Sequence, residues 1–266
     1  SPWGTGFPGW HIECSAMATQ CLGQYIDIHG GGLDLSFPHH ENEIAQSECA
    51  TGEQYVNTWM HCGFVRIDDE KMSKSLGNFF TIREVLKAYH PEVIRYFLLA
   101  SHYRSPVNYS EETLEAAKAS LHRLYTALES APDSDQAPVQ TDRWTQAFDD
   151  AMNDDFNTPQ ALAVLFDLSK ALNKTPSHAL HQCLQSLAGR LGLLQTSPEA
   201  FFKWQPSQSA DAEGALDEAR IEALIEERAQ ARTNKDFARA DAVRDELLAA
   251  GIELLDGPQG TTWRRV

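Results

Sequence analysis

Three residues of types that bind zinc stand at spacings that can bring them together. Cys14 follows a Gly-Trp pair at the start of a predicted helix, and His39 and Glu43 are four residues apart in a second predicted helix. A spacing of four places two side chains on the same face of a helix. Thiolate, imidazole and carboxylate groups all bind zinc, and three protein ligands with one open position are typical of catalytic sites. The spacing therefore allows a metal site at these three residues, with His40 as the main rival to His39.

Simpler interpretations of the same residues stay open at this point. A histidine and a glutamate at helical spacing commonly form a solvated or hydrogen-bonded pair. A single cysteine such as Cys14 is more often a buried structural residue than a metal ligand. The case for a metal site therefore depends on what the rest of the chain contains.

A glycine-rich turn precedes the predicted His–Glu helix. The run Tyr25–Ile28 alternates apolar and acidic residues, as half-buried strands do. Gly30–Gly32 can adopt positive φ and let a ligand approach the backbone, and Pro38 suits the first turn of a helix. With Asp34 between them, these features follow the order of a nucleotide-binding α/β unit. The GxGxxG match at residues 4–9 is rejected, because no strand precedes it and a proline interrupts the expected helix.

A second candidate site is the run 71–75, which reads Lys-Met-Ser-Lys-Ser. Lysine ammonium groups are mobile point charges that neutralise phosphate oxygens. Such groups stabilise the charge that develops on a leaving pyrophosphate. Lys71 and Lys74 are therefore candidate catalytic residues, and the alternative is a solvated turn beside the acidic residues 68–70.

The bulk properties narrow the class of protein. The chain has 266 residues, enough for one large domain or two to three smaller ones, and no apolar run reaches the length of a membrane span. The net charge of −16 argues against a protein that coats DNA, although a local basic patch can still bind RNA. Five cysteines without a CxxC pair predict a reducing, cytoplasmic location. The first residues do not have the pattern of a signal peptide. They also lack an initiator Met and resemble the middle of a loop, so we expect a piece of a longer chain.

The chain after residue 80 is predicted to be mainly helical. The helix 110–130 has an apolar stripe at helical spacing, formed by Leu114, Ala117, Leu121, Leu124 and Leu128. Further helices are predicted at 80–89, 91–101, 144–153, 159–173, 180–194, 216–232 and 236–250. Polar residues predict a loop at 131–141 and a linker at 197–214, and the segments 252–256 and 261–266 predict a β-hairpin.

Basic and aromatic residues near the C-terminus allow two interpretations. Four cations follow helical spacing, namely Arg228, Arg232, Lys235 and Arg239. They form either a solvated face with acidic neighbours or a local RNA contact. Trp263 is either a core residue or a stacking partner for an unpaired base, with Arg264 and Arg265 nearby for phosphate.

Several of these motifs together resemble one family. The run 71–75 is the KMSKS signature of class I aminoacyl-tRNA synthetases. Five further stretches closely resemble the cysteinyl-tRNA synthetases, namely residues 9–17, 27–32, 37–43, 154–159 and 256–265. The resemblance covers essentially the whole chain, but the family's HIGH signature and a further zinc cysteine that precedes it do not occur in this sequence. The chain thus resembles the second half of the catalytic domain and everything that follows it.

The resemblance implies an α/β fold, the C-terminal half of a Rossmann-type nucleotide-binding domain, followed by a mainly α-helical bundle and a small α+β C-terminal domain. Residues 1–79 would be the catalytic part, 80–109 a connecting helical segment and 110–196 a helical bundle that binds tRNA. Residues 197–215 would be a linker, and 216–266 a small anticodon-binding domain.

The resemblance also implies an activity and roles for single residues. The family activates L-cysteine with ATP to cysteinyl-adenylate and transfers the cysteinyl group to tRNA(Cys). Lys74 and Lys71 would stabilise the leaving pyrophosphate, and Gly32, Asp34 and Lys74 would bind ATP. Trp10 would line the amino-acid pocket. We expect Mg²⁺ to enter with ATP, and we expect a monomer in the cytoplasm that binds neither DNA nor a membrane.

One zinc ion per chain is implied, held by Cys14, His39 and Glu43. An apolar pocket separates cysteine from serine by only about 1–3 kcal/mol, whereas a zinc-bound thiol is deprotonated and forms a soft-ligand bond that a hydroxyl matches poorly. The residues 263–265 would contact tRNA. Two alternatives stay open: a related cysteine ligase that acts on an amino sugar, and a truncated, adenylation-incompetent module that binds tRNA or zinc.

Overall fold

The structure, a computed structural model, describes residues 2, 4–67, 70–71, 81–129, 140–206, 216–257 and 260–265. These residues divide into two units. Unit 1 comprises Ser1–Asn78 and Ser101–Ser110, and unit 2 comprises Phe79–Ala100 and Glu111–Val266.

Unit 1 combines two helices with short strands. Its elements are α1 (Trp10–Leu22), β1 (Ile26–Gly32), α2 (Glu41–Thr51), β2 (Val56–Cys62), β3 (Val65–Ile67), β4 (Glu70–Lys71) and β5 (Val107–Tyr109). Two short helical turns, Leu33–Leu35 and Ser36–His40, connect β1 to α2. Strands β1 and β2 are parallel, so β1, α2 and β2 form a β–α–β unit, in which the predicted order of strand, glycine run and helix is present.

The first sheet is held by a small apolar cluster. Ile26 and Val56 are register partners at the start of β1 and β2, and with Tyr55 they form the buried cluster of this unit. Ala18 of α1 and Trp59 of β2 pack against that cluster. The second sheet has the order β4–β3–β5, in which β3 is antiparallel to β4 and parallel to β5.

The glycine run differs from the prediction in its backbone. Gly30–Gly32 belong to β1 and none of them has positive φ. The glycines are required by close neighbours instead. A Cβ at Gly30 would lie 2.7 Å from the carbonyl oxygen of Met60, and one at Gly32 would lie 2.5 Å from Oδ1 of Asp34. Side chains at these positions would therefore separate the strands or displace the Asp34 carboxylate.

Unit 2 is built of helices and one hairpin. Its helices are α3 (Ile82–Val85), α4 (Pro91–Leu99), α5 (Glu111–Glu129), α6 (Asp142–Asn153), α7 (Thr158–Lys174), α8 (His178–Arg190), α9 (Pro198–Lys203), α10 (Glu218–Thr233) and α11 (Phe237–Ala249). The hairpin pairs β6 (Ile252–Gly257) with β7 (Gly260–Arg265) in antiparallel register. The predicted hairpin and the predicted helix pair before it are both confirmed.

Side-chain caps fix the starts of several helices in unit 2. Asn157 accepts a hydrogen bond from the Gln160 amide and caps α7, which begins at Thr158, one residue before the predicted start. Ser177 and Asp217 cap α8 and α10 in the same way. Each of these polar side chains satisfies an amide at a helix start that would otherwise be unpaired.

The bundle core has the leucine pattern expected of amphipathic helices. The predicted stripe of α5 is buried in full, namely Leu114, Ala117, Leu121, Leu124 and Leu128. Leu165 and Leu168 of α7 and Leu184 of α8 are also completely buried. No helix in the described part of the chain has the length and apolar content needed to cross a bilayer.

The predicted linker at 197–214 is wrong for its first part. Residues Pro198–Lys203 form α9, which Ser197 caps. Phe201 and Phe202 are buried, and the Phe201 ring stacks on Tyr125 with centroids 4.1 Å apart. Two adjacent aromatic side chains bury enough apolar surface to order a segment whose other residues are polar. Residues 207–215 lie outside the described part of the chain.

Candidate metal centre

The three predicted zinc ligands meet in unit 1. Cys14 lies on α1, His39 lies in the turn Ser36–His40 before α2, and Glu43 lies in the first turn of α2. Their ligand atoms all lie within 4.8 Å of one another. Helices α1 and α2 pack against each other, and Ser15 donates a hydrogen bond to Gln46 between them. Residues 25 positions apart in sequence therefore converge because two helices pack side by side.

The Glu43 carboxylate is buried and incompletely satisfied by the protein. Oε1 lies 2.8 Å from Nε2 of His39 but has no hydrogen-bond donor among the described residues. Oε2 lies 3.4 Å from Nε2 of His29 and accepts a 3.5 Å hydrogen bond from the Tyr55 hydroxyl. A buried carboxylate is costly unless a cation or donors compensate its charge. The donor set and the unsatisfied oxygen fit a bound metal ion.

The cysteine of this group is held as a thiol by its surroundings. Burial raises the pKa of Cys14, and the charges of Glu43 and Glu13 raise it further. The thiolate is the form that binds metals. A cation between Cys14 and Glu43 would reverse the electrostatic contribution and favour the thiolate.

A histidine cluster that the sequence analysis did not identify surrounds Glu43. His40 Nδ1 lies 2.8 Å from Nε2 of His61, and the rings of His29 and His40 are 4.9 Å apart. Trp59 contacts both of these rings, with centroids 4.7 and 4.9 Å away. Burial, together with the charges of the neighbouring histidines, lowers the pKa of His40 to about 4. The imidazole of His40 is therefore neutral at neutral pH.

The strand register could have revealed this cluster. Parallel pairing sets His29 beside Trp59 and Gly31 beside His61. In a strand, every second side chain lies on the same face. The alternation of Trp59 and His61 in β2 thus indicates that these two side chains share one face of the strand. It predicts the histidine cluster only once the partner strand and its register are known.

The other site residues predicted for unit 1 are not part of this ligand group. Trp10 is 63% exposed, and its ring lies 4.6 Å from the ring of His39. Asp34 lies in the turn that follows Gly32. Lys71 ends β4, whereas Lys74 lies outside the described residues.

The structure favours the core interpretation of Trp263. The side chain is only 5% exposed, and it belongs to an apolar cluster with Ile221, Leu224, Val243, Leu247 and Ile252. Its indole Nε1 donates a 2.8 Å hydrogen bond to Glu222, and Lys203 lies over the ring. Stacking on an unpaired base, as the other interpretation requires, does not fit a ring that the protein itself covers.

The arginines of the C-terminal segment are engaged within the protein. Arg264 forms a 2.6 Å ion pair with Glu253, and Arg265 donates to the carbonyl oxygen of Leu216. The predicted phosphate contacts of both residues would therefore compete with intramolecular partners.

Most of the helically spaced cations also form ion pairs. Arg228 donates two hydrogen bonds of 2.8 and 2.9 Å to Asp256, and Arg232 approaches the same carboxylate at 3.2 Å. Arg239 pairs with Glu227. The hydrogen bonds from Arg228 hold the pKa of Asp256 well below its usual range. This is the predicted face with acidic neighbours, but it is partly buried rather than simply solvated.

Three known family models match successive segments of the chain. Residues 1–119 match the family of class I (C) tRNA synthetase catalytic domains. Residues 147–195 match the DALR domain, and residues 217–264 match the cysteinyl-tRNA ligase anticodon binding domain. A LeuRS–tRNA–LeuAMS complex from Agrobacterium radiobacter matches 62% of this chain and 25% of its own, with a TM-score of 0.47 and 20% identity.

Curated relatives named cysteine–tRNA ligase match the chain throughout. The relative from Hydrogenovibrio crunogenus is 70% identical over 266 residues, which are 100% of this chain and 57% of that protein. Those from Methylococcus capsulatus and Thioalkalivibrio sulfidiphilus are 58% and 60% identical, and the matches cover 100% of this chain and 58% and 57% of those proteins. The chain thus spans somewhat more than half the length of these relatives. With three successive family matches and such identity, the chain belongs to the cysteinyl-tRNA synthetase family.

Proposed function

We propose that this chain supplies the cysteine-selecting and tRNA-binding parts of a cysteine–tRNA ligase. Such an enzyme activates cysteine with ATP to cysteinyl-adenylate and then transfers the cysteinyl group to tRNA(Cys). The observation that carries the proposal is the convergence of Cys14, His39 and Glu43, whose ligand atoms lie within 4.8 Å of one another. A sulfur, a nitrogen and an oxygen ligand with one open position suit a substrate-binding zinc ion.

Selection of cysteine is the task that this group would perform. Zinc, when bound by Cys14, His39 and Glu43, supplies a soft cation that favours a substrate thiolate over a hydroxyl. Trp10, with its ring 4.6 Å from His39, forms a wall beside this position. Tyr55 donates to Glu43 and holds the carboxylate in its orientation.

ATP would be bound by the elements that follow β1. Gly32 leaves room for the Asp34 carboxylate, which accepts hydrogen bonds from ribose hydroxyls in this proposal. Lys74 and Lys71 neutralise the pyrophosphate that leaves when the cysteine carboxylate attacks the α-phosphorus, with Mg²⁺ bound to ATP. The chain's own contribution to the reaction is thus positioning and charge stabilisation.

Binding of tRNA is assigned to unit 2. The similarity of residues 217–264 to an anticodon binding domain supports tRNA rather than an amino sugar as the acceptor. Trp263 acts here as a core residue that holds α10, α11 and the hairpin together, so the contacts with tRNA fall to the surface around it. We place this activity in the cytoplasm and assign it to a monomer, as expected for the family.

The proposal is tested by metal content and amino-acid binding. The chain purified without added metal should contain about one zinc ion, and Cys14→Ser and His39→Ala should each lose it. Calorimetry should detect binding of cysteine, but not of serine, to the zinc-loaded chain. His178→Ala, in unit 2, is the matched control and should retain both properties.

Two results would contradict the proposal. One is equal binding of serine and cysteine, and the other is full zinc content in both ligand variants.

Adenylation is a separate question, since the sequence contains no HIGH signature. We expect no useful cysteine-dependent ATP–pyrophosphate exchange from this chain alone, and we expect Lys74→Ala in a full-length relative to slow adenylation without weakening cysteine binding.

A further inference from the structure

A second set of metal-binding side chains lies beside the first and shares one residue with it. The ligand atoms of His29, His40 and Glu43 lie within 4.8 Å of one another. We propose that these three residues form a second site for a divalent transition-metal ion, and that Glu43 bridges the two sites. This site contains no sulfur ligand, so its chemistry differs from that of the Cys14 site.

The two oxygens of Glu43 are directed to different histidines. Oε1 lies 2.8 Å from Nε2 of His39, whereas Oε2 lies 3.4 Å from Nε2 of His29. A carboxylate that offers one oxygen to each of two ions can bridge them, and ions in two-metal sites are about 3.5–4 Å apart. The described residues around Glu43 provide histidines and a tyrosine hydroxyl but no lysine or arginine. Metal ions would therefore supply the positive charge that this buried carboxylate lacks.

His40 is oriented for a ligand by a neighbour that is not itself in the set. Its Nδ1 lies 2.8 Å from Nε2 of His61, which leaves Nε2 of His40 as the nitrogen available to a metal. Histidines that bind metals commonly donate their other ring N–H to such a partner, which fixes the ring. A Cβ at Gly31 would lie 3.1 Å from Cε1 and 3.4 Å from Nε2 of His40, so the glycine keeps this edge of the ring open.

Access and ligand type define which ions suit the second site. The His29 side chain is 22% exposed while Glu43 is buried, so an ion and a further ligand can enter from the His29 side. Two imidazoles and a carboxylate suit Zn²⁺, Co²⁺ and Ni²⁺, and they leave at least one position open. Without a thiolate, this site should bind these ions less tightly than the Cys14 site does.

Cobalt distinguishes the two sites, because only an ion bound to sulfur shows a thiolate-to-metal charge-transfer band. Co²⁺ should be titrated into the metal-free 266-residue chain while absorbance and binding heat are recorded. The wild type should bind a first ion with the band and a second, weaker ion without it. His29→Ala should bind one ion and keep the band, whereas Cys14→Ser should bind one ion without the band.

A positioning variant and a control complete the test. His61→Ala should weaken the second ion by about 10–100-fold and leave the first unchanged, and His61→Gln should restore part of the loss because an amide oxygen can accept from His40. His11→Ala is the matched control, since His11 lies near His39 but belongs to neither set, and it should bind both ions. Circular dichroism should confirm that each variant is folded.

The second site is overturned if the wild type binds only one Co²⁺ ion in excess metal, or if His29→Ala and His61→Ala bind the second ion as tightly as the wild type. Failure of the proposed cysteine site has a different signature. In that case the charge-transfer band would be missing from the wild type, whatever number of ions is bound.

Discussion

Unit 1 buries the polar side chains of His39, His40 and Glu43 while Ile28 and Trp10 are exposed, whereas unit 2 buries leucines on successive helices. The buried apolar cluster identified in unit 1 consists of Ile26, Tyr55 and Val56. A fold that uses its interior for ligands has less apolar burial with which to stabilise itself. In unit 1 the candidate metal centre thus occupies interior positions of the kind that leucines occupy in unit 2.

The two units also differ in how they satisfy a buried glutamate. Glu92 in unit 2 accepts hydrogen bonds from the Tyr125 hydroxyl at 2.9 and 3.0 Å and from the amides of Leu194 and Gln195 at 2.7 and 3.0 Å. Glu43 in unit 1 keeps one oxygen without a donor among the described residues. The described residues donate to both oxygens of Glu92, whereas they leave Oε1 of Glu43 without a donor.

The largest expected effect comes from the leucine core. Leu165→Ala removes a completely buried side chain of α7 and should destabilise unit 2 by about 2–5 kcal/mol, because lost burial and a residual cavity both add to the cost. Urea denaturation followed by circular dichroism measures this loss. The metal content of unit 1 should not change, and a parallel loss of metal would show that the two units do not behave differently.

Replacement of each buried glutamate by glutamine should affect stability differently in the two units. Glu92→Gln places an amide N–H where backbone amides donate, and it should destabilise unit 2 by about 1–3 kcal/mol. Glu43→Gln removes a buried charge that lacks a full set of donors, so the metal-free chain should lose less than about 0.5 kcal/mol or gain stability. Denaturation of both variants with a chelator present makes the comparison, and a large loss in Glu43→Gln would contradict it.

The ion pair of Asp256 should give a smaller, pH-dependent effect. Its pKa is lowered by hydrogen bonds from Arg228 and Thr261, so its stabilising contribution is present above the ordinary aspartate pKa of about 3.9 and is lost as pH falls below that value. Because the side chain is about half exposed, Asp256→Asn should cost only about 1 kcal/mol at pH 7.

Stability measured between pH 7 and pH 3 tests this prediction, because the difference between Asp256→Asn and wild type should shrink as the pH falls. Asp245→Asn is the control, since Asp245 pairs with Arg244 at an exposed site and should change stability little at any pH. A cost that stays constant over this range would show that the carboxylate charge is not the cause.

The smallest effect is expected at the surface of unit 1. Ile28→Thr changes an apolar residue that is 62% exposed and keeps a β-branched side chain in β1, so stability should change by less than about 0.5 kcal/mol. The comparison with Leu165→Ala, in which the substituted side chain is completely buried, isolates burial as the variable. A loss of several kcal/mol from Ile28→Thr in this 266-residue chain would contradict the contrast between the units.

Local rules made several features predictable from sequence alone. The stripe of α5 follows the helical period, so its burial could be read from the spacing of its leucines. The spacing of His39 and Glu43 predicted that the two side chains share a helix face, and the His39 imidazole does lie 2.8 Å from the Glu43 carboxylate. These features depend on neighbours within a few residues, which the chain order specifies.

Other features were decided only when distant segments packed together. The amino-acid type of Trp263 allowed a core or a surface role, and packing of the hairpin against α10 and α11 made it a core residue. The partnership of His40 with His61 depends on parallel pairing of β1 with β2, which no local pattern specifies. Sequence determined which side chains are of types that can bind a metal. Tertiary packing decided that the two oxygens of Glu43 lie near two different histidines. That geometry requires residues from separate elements to meet around one buried carboxylate.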